Sequence, residues 1–349
     1  MSKFPYKWYL KDGYPPKNGL KVFGTFICGG GSTMGYKLAG YEHLGGVEID
    51  KQVADVYRTN HNPKYLYNED IREFNKRTDL PTELYSLDIL DGSPPCSTFS
   101  MAGSREDGWG KKKQFREGQA VQTLDDLVYV YCDTIIKLQP KTFILENVKG
   151  IIAGNAKSYS KKIVEKMTKA GYSVQVFLLN AASMGVPQKR ERVFFIGSKK
   201  ELNFPKLKLE FNERAVVFGE VKTKDNQYPL NETMLRYWNN RKEKDIDFAN
   251  IAGRMDGRPN SFFNHKFLKD GEVANTVTSG DLCTLYSEPR YRNDNEVKLC
   301  GSYPLDYNFK SIEPKYLIGM SVPPVMTAQI ANQMFLQWFE KQRRNNVER

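Results

Sequence analysis

Short apolar runs alternate with helical periodicity through the first two hundred residues. VFGTFI (22–27), GGVEID (45–50), LYSLDIL (84–90), TFILENV (142–148), YSVQVFLLN (172–180) and RVFFIGSKK (192–200) each read as a strand. Between them, Val121, Leu124, Leu127, Val128, Tyr131, Ile135 and Leu138 recur at spacings of three and four, which predicts a helix over 121–138 closed by Gln139-Pro140. KSYSKKIVEKMTKAG predicts a second helix, with Gly171 just past its end. Strands alternating with helices imply an α/β fold built on a mixed, mostly parallel sheet.

After residue 200 the texture changes. Residues 200–290 are rich in Asn, Lys, Arg and Asp and show little sustained periodicity, yet eight aromatics lie between Phe204 and Phe267. That aromatic content favours a small, irregular second domain over a disordered insertion. Order returns at SVPPVMTAQIANQMFLQWFEKQRR, where prolines open a helix and Val322, Met326, Ile330, Met334 and Trp338 recur every four residues.

Composition narrows the class. No run approaches the ~18 apolar residues of a membrane span, and the start lacks the apolar core of a signal peptide. A soluble, cytoplasmic protein without a membrane partner is expected. Five widely spaced cysteines without a CxxC pair, and three histidines without ligand spacing, argue against a disulfide framework or a metal site. The net charge of +11 suits a polyanionic partner such as nucleic acid. No coiled coil or other dimer signature is present, so a monomer is expected.

Candidate chemistry gathers where predicted strands end. FICGGGSTMG (26–35) follows a strand and opens a helix, where glycines let the backbone approach a ligand and the helix N-terminus favours negative charge. Glu48 closes the next strand, about 20 residues on, where an acid commonly grips ribose hydroxyls. Asp70-Ile71 is a candidate adenine contact. No GxxxxGK[ST] occurs, so a nucleoside cofactor is favoured over nucleotide hydrolysis. In GSPPCSTFS (92–100), two prolines form a rigid mount for Cys96 at the carboxyl edge of the sheet. Glu146 ends TFILENV, so thiol and carboxyl converge on one cleft, as covalent catalysis on an electron-poor ring requires; Glu146 could equally pair with Lys149. QKRER (188–192) alternates Gln188, Arg190 and Arg192 toward one anion or base.

The order of FICGGGSTMG, GGVEID, NEDI, GSPPCS, ENV, QKRER and GMSVPP resembles the C5-cytosine-specific DNA methyltransferase family of bacteria and phages, over nearly the whole chain except residues 1–20 and the 200–270 stretch. The resemblance implies a Rossmann-like S-adenosylmethionine-dependent catalytic domain over 21–200, after an N-terminal extension (1–20). It implies a target-recognition domain over 201–290 and a C-terminal segment (291–349) returning to the catalytic domain. It implies methyl transfer from S-adenosyl-L-methionine to C5 of a cytosine flipped out of double-stranded DNA. Cys96 would attack C6, Glu146 would hold N3 and the exocyclic amine, Arg192 would contact the base, and Arg190 would steady the adduct or its phosphate. Phe26, Gly30, Glu48, Ile49, Asp70, Ile71, Pro95, Leu124, Ser321 and Val322 would line the cofactor pocket. Ser97, Lys111, Lys112, Lys113 and Gln188 would meet DNA, the lysines from a lid formed by residues 99–119.

Three positions depart from the family pattern: Cys28 where a glycine is usual, Ser97 for a glutamine, and Met320 for an asparagine. Sequence specificity is expected in the second domain, with Arg254 and Arg258, and also Asn260, Asn264, His265 and Lys266, as base or phosphate contacts. TVTSGD (276–281) is a candidate loop at the DNA face. Two alternatives stand beside DNA methylation: a tRNA cytosine-C5 methyltransferase of the same fold, and a catalytically inactive DNA-binding relative. The compact size, with no extra regulatory domain, suits a bacterial or phage enzyme.

Overall fold

The computed structural model describes residues 3–95, 112–113, 122–123, 127–153, 156–259, 261–262, 265–280 and 282–342. Cys96, Ser97, Lys111, Leu124, Asn260, Asn264 and Asp281 lie outside the described residues, as do the side chains of Lys112 and Lys113. The chain forms two compact units. One comprises Tyr14–Asn180, Glu191–Glu210 and Thr327–Arg349; the other comprises Met1–Gly13, Ala181–Arg190 and Phe211–Met326.

The larger unit is built on seven strands: β1 (Lys21–Thr25), β2 (Glu42–Val47), β3 (Tyr65–Tyr67), β4 (Ile89–Gly92), β7 (Thr142–Val148), β8 (Tyr172–Asn180) and β9 (Glu191–Lys199). Their order is β3-β2-β1-β4-β7-β9-β8. The first five pair in parallel, and β9 runs antiparallel to both β7 and β8. Two further strands of two residues each, β5 (Lys112–Lys113) and β6 (Gln122–Thr123), pair antiparallel with one another. The sheet is therefore the mixed, mostly parallel one that the alternation implies.

Helices α1 (Gly31–Leu38), α2 (Lys51–His61), α3 (Ile71–Lys76), α4 (Leu127–Leu138) and α5 (Lys157–Lys169) connect the strands. Leu90, Phe143, Leu145 and Phe195 from the sheet pack with Phe74 of α3, Tyr131 and Ile135 of α4, and Ile163 and Met167 of α5 in one core. Several boundaries differ from expectation. The second strand begins at Glu42 and stops at Val47, because Asp50 caps α2 by accepting from the N–H groups of Gln52 and Val53 and turns the chain out of the sheet. The 84–90 run enters the sheet only at Ile89, since Thr82–Tyr85 makes a 3₁₀ turn after Pro81.

Helix α10 (Pro324–Met334) continues as a π-helical turn over Phe335–Phe339. A period of four overshoots the 3.6 of an α-helix, and the wider π turn takes up the drift. Met326, Ile330, Met334 and Trp338 are all buried as a result. Trp338 stacks on Phe204 at 5.3 Å and donates through Nε1 to the Pro205 carbonyl at 2.8 Å.

The smaller unit holds α6 (Glu232–Asn239), α7 (Phe248–Asp256), α8 (Asp294–Cys300), α9 (Pro314–Met320) and the parallel two-residue strands β10 (Phe267–Leu268) and β11 (Thr284–Leu285). Its aromatics have a core to fill: Tyr237, Phe248 and Phe267 pack with Met234 and Ile251. Arg290 and Glu296, both almost fully buried, form a bidentate pair at 2.8 and 2.9 Å. The chain's first residues join this unit, where buried Trp8 donates through Nε1 to the Ser302 carbonyl at 3.0 Å.

Candidate active site

At the carboxyl ends of β1, β2 and β3 the chain makes three successive turns. After β1, Phe26 and Cys28 take positive φ values of 55° and 47°, and Gly30 (φ 77°) caps α1. Gly30 is the position where a side chain is excluded outright, because a Cβ there would meet His61 Nε2 at 2.2 Å. Glu48 braces this turn. Its Oε2 accepts from the Cys28 N–H at 3.0 Å and its Oε1 from the Asp50 N–H at 2.9 Å. Burial pushes the Glu48 carboxyl up to about 7, against the pull of those N–H groups. Asn68 donates to the carbonyls of Glu48 and Ile49 at 2.7 and 3.2 Å. Asp70 caps α3 by accepting from the Arg72 N–H at 2.7 Å, and Ile71 is buried behind it. Phe26, Gly30, Glu48, Ile49, Asp70 and Ile71 thus follow three neighbouring parallel strands.

The second cluster lies at the ends of β4, β7 and β9. Gly92, the last residue of β4, is paired in register with Leu145, so the Ser93-Pro94-Pro95 exit runs beside Glu146 and Asn147. The Asn147 side chain fastens that exit by donating from Nδ2 to the Pro94 carbonyl at 3.2 Å. Arg192 is in register with Val148 on the antiparallel neighbour, and its Nε lies 3.0 Å from Glu146 Oε1. Burial lowers the Arg192 pKa, and the carboxylate opposes that shift. Lys149 pairs instead with Glu191 at 2.9 Å, which leaves Glu146 to Arg192.

The expected common face of Gln188, Arg190 and Arg192 does not form. Strand β9 begins only at Glu191, so the two-residue alternation does not extend back to 188 and 190. Gln188 is buried, donates through Nε2 to the Cys300 carbonyl at 2.7 Å, and accepts from the Val277 N–H at 3.1 Å. The buried Arg190 guanidinium donates to the carbonyls of Val277, Gly319 and Ser321 at 3.1, 3.1 and 2.8 Å. Both side chains hold segments of the smaller unit together. Ser321 and Val322 are buried in that unit, and the Ser321 hydroxyl donates to the Leu317 carbonyl. Arg254 is occupied by Asp245, at 2.9 Å, and by the Asn240 carbonyl. Arg258 is exposed, and so is Lys266.

Sequence reasoning passed over Asp91, Tyr36 and Asn147. Asp91 is 4% exposed, and its carboxylate accepts from the Tyr36 hydroxyl at 3.1 Å and from Ser32. Burial raises its pKa to about 6. An acid inside the apolar run LDILDG was the available signal.

The profile of the C-5 cytosine-specific DNA methylase family matches residues 20–336. The chain is 29% identical to the Type II methyltransferase M1.HphI of Haemophilus parahaemolyticus over 329 residues, which span 89% of this chain and 86% of that one. It is 34% identical to the Type II methyltransferase M.FnuDI of Fusobacterium nucleatum over 218 residues, 60% of this chain and little more than half, 57%, of that one. Among solved structures, a Spodoptera frugiperda DNMT2 mutant superposes with a TM-score of 0.65 at 16% identity, covering 91% of this chain and 100% of that one. Entamoeba histolytica methyltransferase EhMeth superposes with a TM-score of 0.60 at 12% identity, over 91% and 98%; at these identities the likeness speaks for the fold. With the family profile running from β1 into the C-terminal helix, the chain belongs to the C-5 cytosine-specific DNA methylase family.

Proposed function

We propose that this protein transfers a methyl group from S-adenosyl-L-methionine to C5 of a cytosine in double-stranded DNA, with Cys96 as nucleophile. The carrying observation is the Glu146–Arg192 pair, 3.0 Å apart and nearly buried, beside the proline-stiffened exit from β4 that leads to Cys96. A carboxyl group held by a guanidinium next to a thiol mount suits a pyrimidine that must be gripped on its N3 edge while its C6 is attacked.

The residues of the first cluster fit a nucleoside cofactor. Both oxygens of Glu48 are aimed by backbone N–H groups and keep lone pairs for a ribose diol. Phe26, Gly30, Ile49, Asp70, Ile71 and Pro95 would form the rest of the pocket, with Leu124 as a further contact. When bound, S-adenosylmethionine supplies an electrophilic methyl group.

The chain's own groups then have distinct tasks. The target base is swung out of the duplex, since a stacked ring exposes neither C5 nor C6 to a side chain. The Cys96 thiolate forms a bond to C6, and the electron pair of the C5–C6 bond makes C5 nucleophilic. Glu146 delivers a proton to N3, which neutralises the negative charge developing on the ring, and accepts from the exocyclic amine, with Arg192 fixing its orientation. Once C5 carries the methyl group its proton passes to water, the electron pair of that C–H bond re-forms the C5–C6 double bond, and the C6–sulfur bond breaks to restore the thiolate.

Labelled S-adenosylmethionine, mixed-sequence duplex DNA and tRNA test this directly, with Cys96→Ser in parallel. Label at C5 of cytosine in DNA, absent in the variant, is the expected result. Label confined to tRNA, or to neither substrate, would overturn it.

A further inference from the structure

Among the described residues, Asp91 is a buried anion without a cation. It forms no ion pair among them; its carboxylate is met by the hydroxyls of Tyr36 and Ser32. The other described groups that act on it are neutral or negative. The Thr25 hydroxyl donates to its carbonyl at 3.3 Å, Tyr57 and Tyr131 feel its charge, and Glu146 raises its pKa through space. In a chain of net charge +11, leaving a buried carboxylate uncompensated is costly, and such groups normally sit beside Lys or Arg.

Its location indicates which cation is missing. Ser32 belongs to the first turn of α1, directly after the Gly29–Gly31 turn. On the other side, β4 carries Asp91 to within five residues of Cys96, and Glu146 lies close enough to act on it. A methyl donor gripped at Glu48 and delivering to a base held by Glu146 must bridge these same two clusters. Its sulfur carries a positive charge that disappears with the methyl group.

We infer that Asp91 is the buried anion by which this protein prefers the cationic methyl donor over its neutral demethylated product. The inference rests on the function proposed above. Because the attraction acts on the ground state, it tightens donor binding without speeding transfer. Removing it raises KM for the donor and leaves kcat unchanged or higher. A purely structural role would weaken donor and product alike.

Calorimetry without DNA separates these cases, using S-adenosylmethionine and S-adenosylhomocysteine on wild type and Asp91→Asn at pH 7.5. The expected result is donor affinity weaker by on the order of tenfold in the variant, as for one charge–charge interaction at reduced dielectric, with product affinity moving less than about threefold. Equal losses for both ligands, or none, would overturn it. Wild type alone provides a second test should the variant fail to fold. Its donor-to-product affinity ratio should fall as pH drops through about 6, where Asp91 takes up a proton, while titration of Glu48 at the shared ribose cancels from the ratio. A flat ratio overturns the inference. If wild type binds neither ligand, the proposed function fails along with it; binding of both with an unchanged ratio in the variant removes only the part assigned to Asp91.

Discussion

Arg192 faces Glu146 across two antiparallel strands, Nε to Oε1 at 3.0 Å, with side chains only 16% and 12% exposed. The contact neutralises an acid that the sheet edge would otherwise hold near Asp91, a second buried carboxyl. Arg192→Ala leaves Glu146 without its countercharge and without a fixed orientation. Single-turnover methyl transfer should fall by roughly 10²–10³-fold, the scale of losing one preorganised electrostatic contact. Arg192→Lys should recover only part of this, because an ammonium lacks the planar fork. Rates within threefold of wild type in Arg192→Ala would remove the pair from the mechanism.

Gly30 carries the tightest backbone requirement of the first cluster, a φ of 77° with His61 Nε2 at 2.2 Å from any added Cβ. Gly30→Ala should cost about 2–4 kcal/mol, summing left-handed strain and overpacking. A thermal melt reads the stability, and calorimetry with S-adenosylmethionine reads whether the turn still closes on a ligand. A melt unchanged from wild type would show that the α1 entrance can shift at little cost.

Glu48 should leave a signature in the pH dependence of stability. Its folded pKa, raised to about 7 by burial, exceeds the ordinary value near 4.3. Between those values the folded state binds more protons than the unfolded one, so stability falls as pH rises from about 4.5 to about 7. Denaturant titrations of wild type and Glu48→Gln across that range should show wild type losing ground to the variant as pH rises. A constant difference would mean that Glu48 titrates normally.

The smaller unit contains a buried pair that is intolerant of half-removal. Glu296→Ala leaves Arg290, 2% exposed in its side chain, with only Glu288 among the described residues to offset its charge. A loss of about 3–5 kcal/mol is expected, as for other broken buried pairs. The same variant should open the 211–326 region to limited proteolysis, and a wild-type cleavage pattern would contradict this.

Trp8 supplies a parallel test at the N-terminus. Its ring is 7% exposed and bonded to Ser302, 294 positions away. Trp8→Ala should cost about 3–5 kcal/mol, the usual range for deleting a buried aromatic. A neutral effect in a denaturant melt would make the first thirteen residues an appendage after all.

Much of the larger unit could be read locally. TFILENV and YSVQVFLLN are strands over the very residues their apolar runs mark, and the helix after Ala156 stops where Gly171 suggested. Each of these patterns reports which side of an element is buried, and that is a property of neighbours in the chain. The positions of Glu48, one residue past β2, and of Glu146, two residues before the end of β7, were legible for the same reason. Strand limits at Val47 and Ile89 were less so, because a cap at Asp50 and a turn after Pro81 compete with the apolar pattern.

The partners of charged side chains were another matter. QKRER looks like one cationic edge, yet Gln188 and Arg190 are spent on Cys300, Val277, Gly319 and Ser321, and only Arg192 reaches Glu146. Nothing within five residues of Arg190 distinguishes those outcomes, since its carbonyl partners lie 87 to 131 positions away. Asp91 likewise reads as one polar residue in an apolar strand until the fold brings the hydroxyls of Tyr36 and Ser32 to it and, among the described residues, no cation. The sequence by itself determined the strands, most helices and the acids at the sheet's edge, because periodicity and turn chemistry are local. Tertiary structure alone decided which charges are satisfied and which are left waiting, because burial brings together groups that the chain keeps far apart.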